Sequence, residues 1–198
     1  KYKATIKVNN IKTHFSLRND FQNNILNILS TLTVMSIYFD ISKINKDIFY
    51  NFEIPDGRGD ISKIRIKNKL LNLIDESYNS NPLSLKSAIL NFDKIKSNKS
   101  KYLLLGDMLE LGKYSKKLHQ SIGKIINKTK IDKVFVKGHK ILFTYNSITK
   151  IKRGRILNNN SEIINLLQND LNNNDYLMVK ASNATGFNMM INSMKGLK

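Results

Sequence analysis

Asp75 and Glu76 are adjacent carboxylates at the head of a polar loop, Ser77-Tyr78-Asn79-Ser80-Asn81, which runs into Pro82. Two neighbouring acids are able to accept from ribose hydroxyls, hold a cation or receive an amine, and equally able to solvate a loop; on the pair alone, solvation is the simpler reading. The loop adds hydroxyl and amide groups that donate and accept together, which suits a zwitterionic or peptide-like ligand. A second acidic segment, residues 105–112 (LGDMLELG), carries Asp107 and Glu110. It stands open between a functional role and a loop held by its own backbone bonds. His14, His119 and His139 lie far apart in the chain and offer no metal-ligand spacing, so no metal site is expected from them, and His119 reads as a packing or capping residue. Gly138 alone is a weak phosphate signal, and no Gly-x-x-x-x-Gly-Lys-Ser/Thr loop occurs.

The elements around these residues follow from periodicity. Asn81-Pro82 is a helix start, because asparagine caps free amides and proline fits the first helical position. Leu85, Ala88, Ile89 and Phe92 then form a buried stripe on a helix over 83–95. Short apolar runs at 70–74, 102–105, 134–136 and 176–179 read as buried strands, and further helices are expected at 115–128 and 161–171. Strands alternating with helices predict an α/β fold with a Rossmann-like, doubly wound, mostly parallel sheet. Residues 75–81 then form a loop at the carboxyl end of a strand, where open α/β sheets bind ligands. Upstream, residues 2–8 and 14–17 read as strands, a helix begins near Asn24, and a short helix is expected at 44–50. The proline and glycines of residues 54–60 (IPDGRGD) predict a hinge, which sets a boundary between units 1–55 and 56–198.

Composition narrows the classes. With 198 residues and 41% hydrophobic content the chain can bury a core. The absence of cysteine excludes a disulfide framework and thiolate metal sites and fits a reducing cytoplasm. The longest apolar stretch, 25–39, is interrupted by polar residues and falls short of the ~20 residues that span a bilayer, so no membrane insertion is expected. The chain opens on Lys1 without a secretion signal and reads as a cut inside a longer chain. A net charge of +18 raises a nucleic-acid partner as a possibility. The lysines are scattered among isoleucine and asparagine, and the densest basic stretches, 94–101 and 151–155, lack interleaved aromatics, so a solvated surface is the better reading.

Residues 75–82 (DESYNSNP) are similar to the Asp-Asp-Ser-Tyr-Asn-Ala-Asn-Pro signature of the D-alanyl-D-alanine-adding branch of the Mur ligase family. Residues 105–112 resemble the same branch's Leu-Gly-Asp-Met-x-Glu-Leu-Gly segment, with His119 at the expected distance beyond it. Supporting resemblances are Gly57-Arg58-Gly59, the Asn24/Asn27 pair, and residues 180–183 (KASN), similar to the family's Lys-Gly-Ser-Arg/Asn. The resemblance implies a cytoplasmic ligase with ATP and Mg2+ as cofactors, D-alanyl-D-alanine and UDP-N-acetylmuramoyl-tripeptide as substrates, and a monomeric state when intact. Residues 1–55 would be the trailing part of the central α/β ATP-binding domain, and 56–198 the C-terminal domain. It further implies that Asn27 contacts adenine, that Arg58 reaches the ATP phosphates in the catalytic step, and that Asp75 holds the ribose. Ser77, Tyr78, Asn79, Asn81, Lys180 and Ser182 would position the peptide substrates.

The chain departs from the family pattern in three places. Phe21-Gln22-Asn23-Asn24 stands where the family has Gly-x-His-Asn, Ala181 replaces a glycine, and the phosphate loop and magnesium ligands are absent, so the chain alone is expected to be inactive. Two other readings remain beside this one: a different ligase of the same superfamily, such as a folylpolyglutamate type, and a basic nucleic-acid-binding module with a Rossmann-like core.

Overall fold

A computed structural model describes residues 2–17, 22–51 and 57–195. The chain divides into two compact units, Lys1–Ile54 and Pro55–Lys198. The hinge expected at 54–60 lies partly outside the described residues, as does Phe21.

In the first unit, β1 (Tyr2–Val8) and β2 (Ile11–Leu17) form an antiparallel hairpin. Its two-residue turn, Asn9-Asn10, takes φ of 46° and 65°, the left-handed pair that matches strand twist and that asparagine tolerates. Ile6, Val8, Phe15 and Leu17 alternate onto one face and pack with Ile28 and Leu32 of α1 (Gln22–Met35) and with Ile41. The helix expected at 44–50 does not form. A 3-10 turn at Ile41–Lys43 and a run of further turns take its place. The Asn45 side chain accepts from the Asp47 amide at 2.9 Å, a local bond that competes with helical pairing.

The second unit is a six-stranded sheet in the order β3-β4-β8-β5-β6-β7. Here β4 (Lys69–Glu76), β8 (Tyr176–Lys180), β5 (Lys101–Gly106), β6 (Lys133–Lys137) and β7 (Arg153–Ile156) run parallel, and β3 (Asp60–Ile66) is an antiparallel edge. Helices cover both faces. Leu85, Ile89 and Phe92 of α2 (Pro82–Lys94) and Ile122 and Ile126 of α3 (Ser115–Ile126) pack on Ile74, Leu103, Leu105, Val134, Val136 and Met178. Ile163, Leu166 and Leu167 of α5 (Asn160–Asn169) and Phe187, Met190 and Ile191 of α6 (Phe187–Lys195) pack on Leu71, Leu73, Leu104, Leu177 and Val179. A short α4 (Leu142–Ser147) lies between β6 and β7. The fold is the expected doubly wound, mostly parallel α/β sheet. Among the described residues no helix is long and apolar enough to cross a membrane.

The order matters for function. The chain passes from β4 over to β5 and on outward to β7, then returns to insert β8 between β4 and β5. The carboxyl ends of these three central strands therefore lie side by side, at the switch point where open sheets of this kind make a ligand crevice.

Candidate functional site

Three loops leave the carboxyl ends of β4, β5 and β8 and enclose a cleft of about 650 Å3, lined among others by Tyr78, Asn79, Asn81, Glu110, Ser182 and Asn188. Each loop is held by its own residues. After β4, the Asn81 side chain accepts from the Ser84 amide at 2.9 Å while Ser84 Oγ accepts from the Asn81 amide at 3.2 Å, a reciprocal cap that fixes where α2 begins.

Asp75 is fully buried, and both of its oxygens are engaged. Oδ1 accepts from the Ser77 amide at 3.0 Å and from Ser77 Oγ at 2.6 Å, and Oδ2 pairs with Lys195 Nζ at 2.6 Å. A carboxylate removed from water is stable only with such donors, so Asp75 ties the last residue of α6 to the start of the loop. Glu76 points to the opposite face. Its Oε2 accepts from Lys180 Nζ at 3.0 Å, and Lys180 also donates to the Asn79 carbonyl at 2.9 Å. Among the described residues Glu76 Oε1 takes no hydrogen bond, and the Glu76 side chain is 23% exposed against 1% for Asp75.

Arg58 stands beside this loop. The Gly57 carbonyl accepts from the Tyr78 amide at 3.1 Å and the Gly59 amide donates to the Asp75 carbonyl at 2.7 Å, which clamps the arginine between two contacts. Both glycines hold positive φ, and a Cβ on Gly57 would come within 2.9 Å of the Tyr78 nitrogen. The exposed guanidinium lies over the Tyr78 ring, 4.3 Å from its centroid, at cation–π distance.

The loop after β5 is anchored at its start. Asp107 Oδ1 accepts from the Ile141 amide at 2.7 Å and Oδ2 from the His139 amide at 3.3 Å. A Cβ at Gly138 would come within 2.4 Å of the same carboxylate, so that glycine makes room for Asp107. His119, fully buried, accepts from the Met108 amide through Nε2 at 3.2 Å, and its Nδ1 donates to the Ser115 carbonyl at 2.8 Å in the neutral tautomer that this pairing requires. Burial pushes its pKa below the usual histidine value, partly offset by the bond to Ser115. Asp107 and His119 thus serve the loop's structure, whereas Glu110 turns out into the cleft.

Ser182 joins the loops. Its Oγ accepts from the Leu109 amide at 2.9 Å and donates to the Ser80 carbonyl at 3.2 Å. Ala181 meets no backbone conflict, because Gly106 opposite it leaves space: a Cβ there would lie 2.6 Å from the Ala181 methyl.

Of the residues singled out in the sequence, Arg58, Asp75, Ser77, Tyr78, Asn79, Asn81, Lys180 and Ser182 all lie on one rim of the second unit. They fall into two groups. Asp75, Ser77, Lys180 and Ser182 are buried and hold the loops in place, while Arg58, Tyr78, Asn79 and Asn81 are exposed. Asn27 belongs to the first unit, exposed on α1. Lys195 gave no sequence signal, since its partner lies 120 residues away. Among the described residues, no group of three or more His, Asp or Glu side chains is placed to hold a metal ion.

Comparison with known proteins agrees with this layout. Residues 63–183 match the family model for the Mur ligase, glutamate ligase domain. The chain is 25% identical over 182 residues to the UDP-N-acetylmuramoyl-tripeptide–D-alanyl-D-alanine ligase of Bacillus subtilis, covering 86% of this chain and 39% of that protein. It is 33% identical over 178 residues to the ligase of that name from Buchnera aphidicola of Baizongia pistaciae, covering 86% of this chain and 36% of the relative. The chain therefore spans less than half the length of these relatives. In fold it is similar to MurF ligase from Thermotoga maritima, crystallised in complex with ADP, with a TM-score of 0.72 at 21% identity over 93% of this chain and 40% of that one. It is also similar to MurC from Thermotoga maritima, with a TM-score of 0.62 at 10% identity over 98% of this chain and 45% of that one. With the family model spanning more than half of its residues, and the loops that carry its polar side chains gathered on one rim, the chain belongs to the Mur ligase family.

Proposed function

We propose that this chain is the C-terminal part of an ATP-dependent amide ligase that adds D-alanyl-D-alanine to UDP-N-acetylmuramoyl-tripeptide in peptidoglycan precursor synthesis. One observation carries the reading: the segments 75–82, 105–112 and 180–183, far apart in sequence, line or brace a single cleft at the switch point of the sheet. The two relatives described above bear the name of this reaction.

The exposed Arg58 guanidinium is the group for phosphate oxygens, which it can meet bidentately. Asp75 is already committed on both oxygens, so the carboxylate left to accept ribose hydroxyls is Glu76 through Oε1, and Asp75 fixes the turn that presents it. Asn27 is assigned to adenine, and residues 1–55 to the trailing part of the central ATP-binding domain. Tyr78, Asn79 and Asn81 contact the peptide substrates, with Ser77, Lys180 and Ser182 holding them in place. ATP supplies the phosphoryl group that activates the terminal carboxylate of the acceptor as an acyl phosphate, leaving ADP, and the dipeptide amine attacks the acyl carbon, forms the amide, loses a proton and displaces inorganic phosphate. Mg2+ ligands and the phosphate loop belong to the part of the ligase outside this chain, and the work is cytoplasmic, carried out by a monomer.

The test is ADP release by the product of the open reading frame that contains this chain. Release that requires both UDP-N-acetylmuramoyl-tripeptide and D-alanyl-D-alanine is the expected result. No release, or equal release with an unrelated single amino acid, overturns the reading.

A further inference from the structure

We propose that Glu110 binds the ammonium group of the incoming amine substrate in the cleft at the carboxyl ends of β4, β5 and β8. This rests on the ligase reading and assigns within it a residue that neither burial nor loop architecture explains.

Four observations converge. Among the described residues, the other side chains that line the cleft are amides, hydroxyls and apolar groups, and Glu110 brings the one carboxylate, with no lysine, arginine or histidine beside it in the lining. In a chain of 33 basic and 15 acidic residues an unpaired acid is uncommon, yet among the described residues the Glu110 carboxylate has no hydrogen-bond or ion-pair partner. Glu110 holds φ at +62°, a conformation that glycine takes at lower cost. The neighbouring acid of the same segment, Asp107, is accounted for by the two amides it caps, which leaves Glu110 as the acid of that loop with no structural task.

Another part of the cleft lining has the opposite polarity. There α2, 13 residues long, begins at Pro82, and its N-terminus favours negative charge. Beside it Ser80, only 3% exposed, keeps its hydroxyl oxygen without a hydrogen-bond partner. A cleft that offers both the Glu110 carboxylate and the amides at the start of α2 suits a small zwitterion, its ammonium on Glu110 and its carboxylate toward the helix start. A free dipeptide has this form, and a carboxylate–ammonium contact in a partly enclosed site is among the stronger hydrogen bonds available to it.

The experiment is titration of this chain with D-alanyl-D-alanine, followed by calorimetry or amide chemical shifts. Glu110→Gln keeps the size and removes the charge, and is expected to weaken binding at least about tenfold. N-acetyl-D-alanyl-D-alanine, which lacks the ammonium, is expected to bind the wild type and Glu110→Gln equally weakly. Glu110→Gly is expected to lose the same affinity while melting at or above the wild-type temperature, because it relieves the left-handed backbone; a merely structural residue would lose stability instead. Equal dipeptide binding by wild type and Glu110→Gln overturns the role of Glu110 and leaves the ligase reading to stand on ADP release. A wild type that binds no dipeptide overturns this inference together with the assignment of the cleft to the amine substrate.

Discussion

At the scale of single residues, the site separates side chains that hold a loop from side chains that face a ligand. Asp75 illustrates the difference, because its place in an acidic motif suggests a ligand contact while its burial and three donors make it a fastening point. Removing one partner of a buried pair leaves an uncompensated charge, so Lys195→Met is expected to destabilise the second unit by about 3 kcal/mol. Urea unfolding monitored by circular dichroism measures this, and a loss under about 0.5 kcal/mol would show that water reaches Asp75. The types and order of the rim residues were legible in the sequence, since the loop motifs are local. Their division into fastened and free was not, because it depends on partners such as Lys195 and Lys180 that reach Asp75 and Glu76 from more than a hundred positions away.

At the scale of elements, the strands that read clearly are those buried on both faces. The cores of β4, β5, β6 and β8 appear as short apolar runs because helices cover them on each side. β3 and β7 lie at the sheet edges, and their charged residues, such as Lys63 and Arg65 or Arg153 and Arg155, mask the pattern. α4, six residues long, is too short for a full periodic stripe. α3 was legible, but its fastening to the β5 loop was not: His119 serves both elements as a neutral ring, accepting at Nε2 and donating at Nδ1. Its lowered pKa means that the unfolded chain takes up a proton at higher pH than the folded one. The contribution is thus fully present above the ordinary histidine value of 6.5 and is lost as pH falls below it, down to the folded-state value. Between about pH 7 and about pH 5 the stability of the second unit is expected to decline more steeply in the wild type than in His119→Gln, which keeps an acceptor but does not titrate. Parallel slopes in the two proteins would mean that the ring takes up its proton alike in the folded and the unfolded chain.

At the scale of the whole molecule, the net charge of +18 has a structural outlet. Lys69 donates to the Gln168 carbonyl within the last turn of α5 and to the Leu171 carbonyl just beyond it, Lys101 to the Asp93 carbonyl at the end of α2, and Lys152 to the Thr129 and Ile131 carbonyls after α3. Cations at helix carboxyl ends satisfy free carbonyls and complement the dipole, so part of the lysine excess works inside the fold. The two units differ more in how they bury surface. In the second, both sheet faces are covered, and Leu71, Leu73, Leu103, Leu104 and Leu105 are fully buried. In the first, a two-stranded hairpin and one main helix close over Ile6, Phe15, Leu32 and Ile41, and Val34, Ile37, Tyr38 and Phe39 stay 60–76% exposed. Hairpins of two strands are marginal by themselves and small units bury too little surface to be robust. The first unit is therefore expected to open independently and more often. In native-state hydrogen exchange, amides of β1 and β2 should exchange at least about a hundredfold faster than those of β4, β5 and β8. Urea should likewise produce two transitions, the earlier one reported by Phe15 and its edge-on neighbour Phe49. One common exchange limit for all these strands, with one coincident transition, would instead mean that the hairpin unit draws its stability from the sheet, and that the division of the chain at residues 54 and 55 does not extend to its energetics.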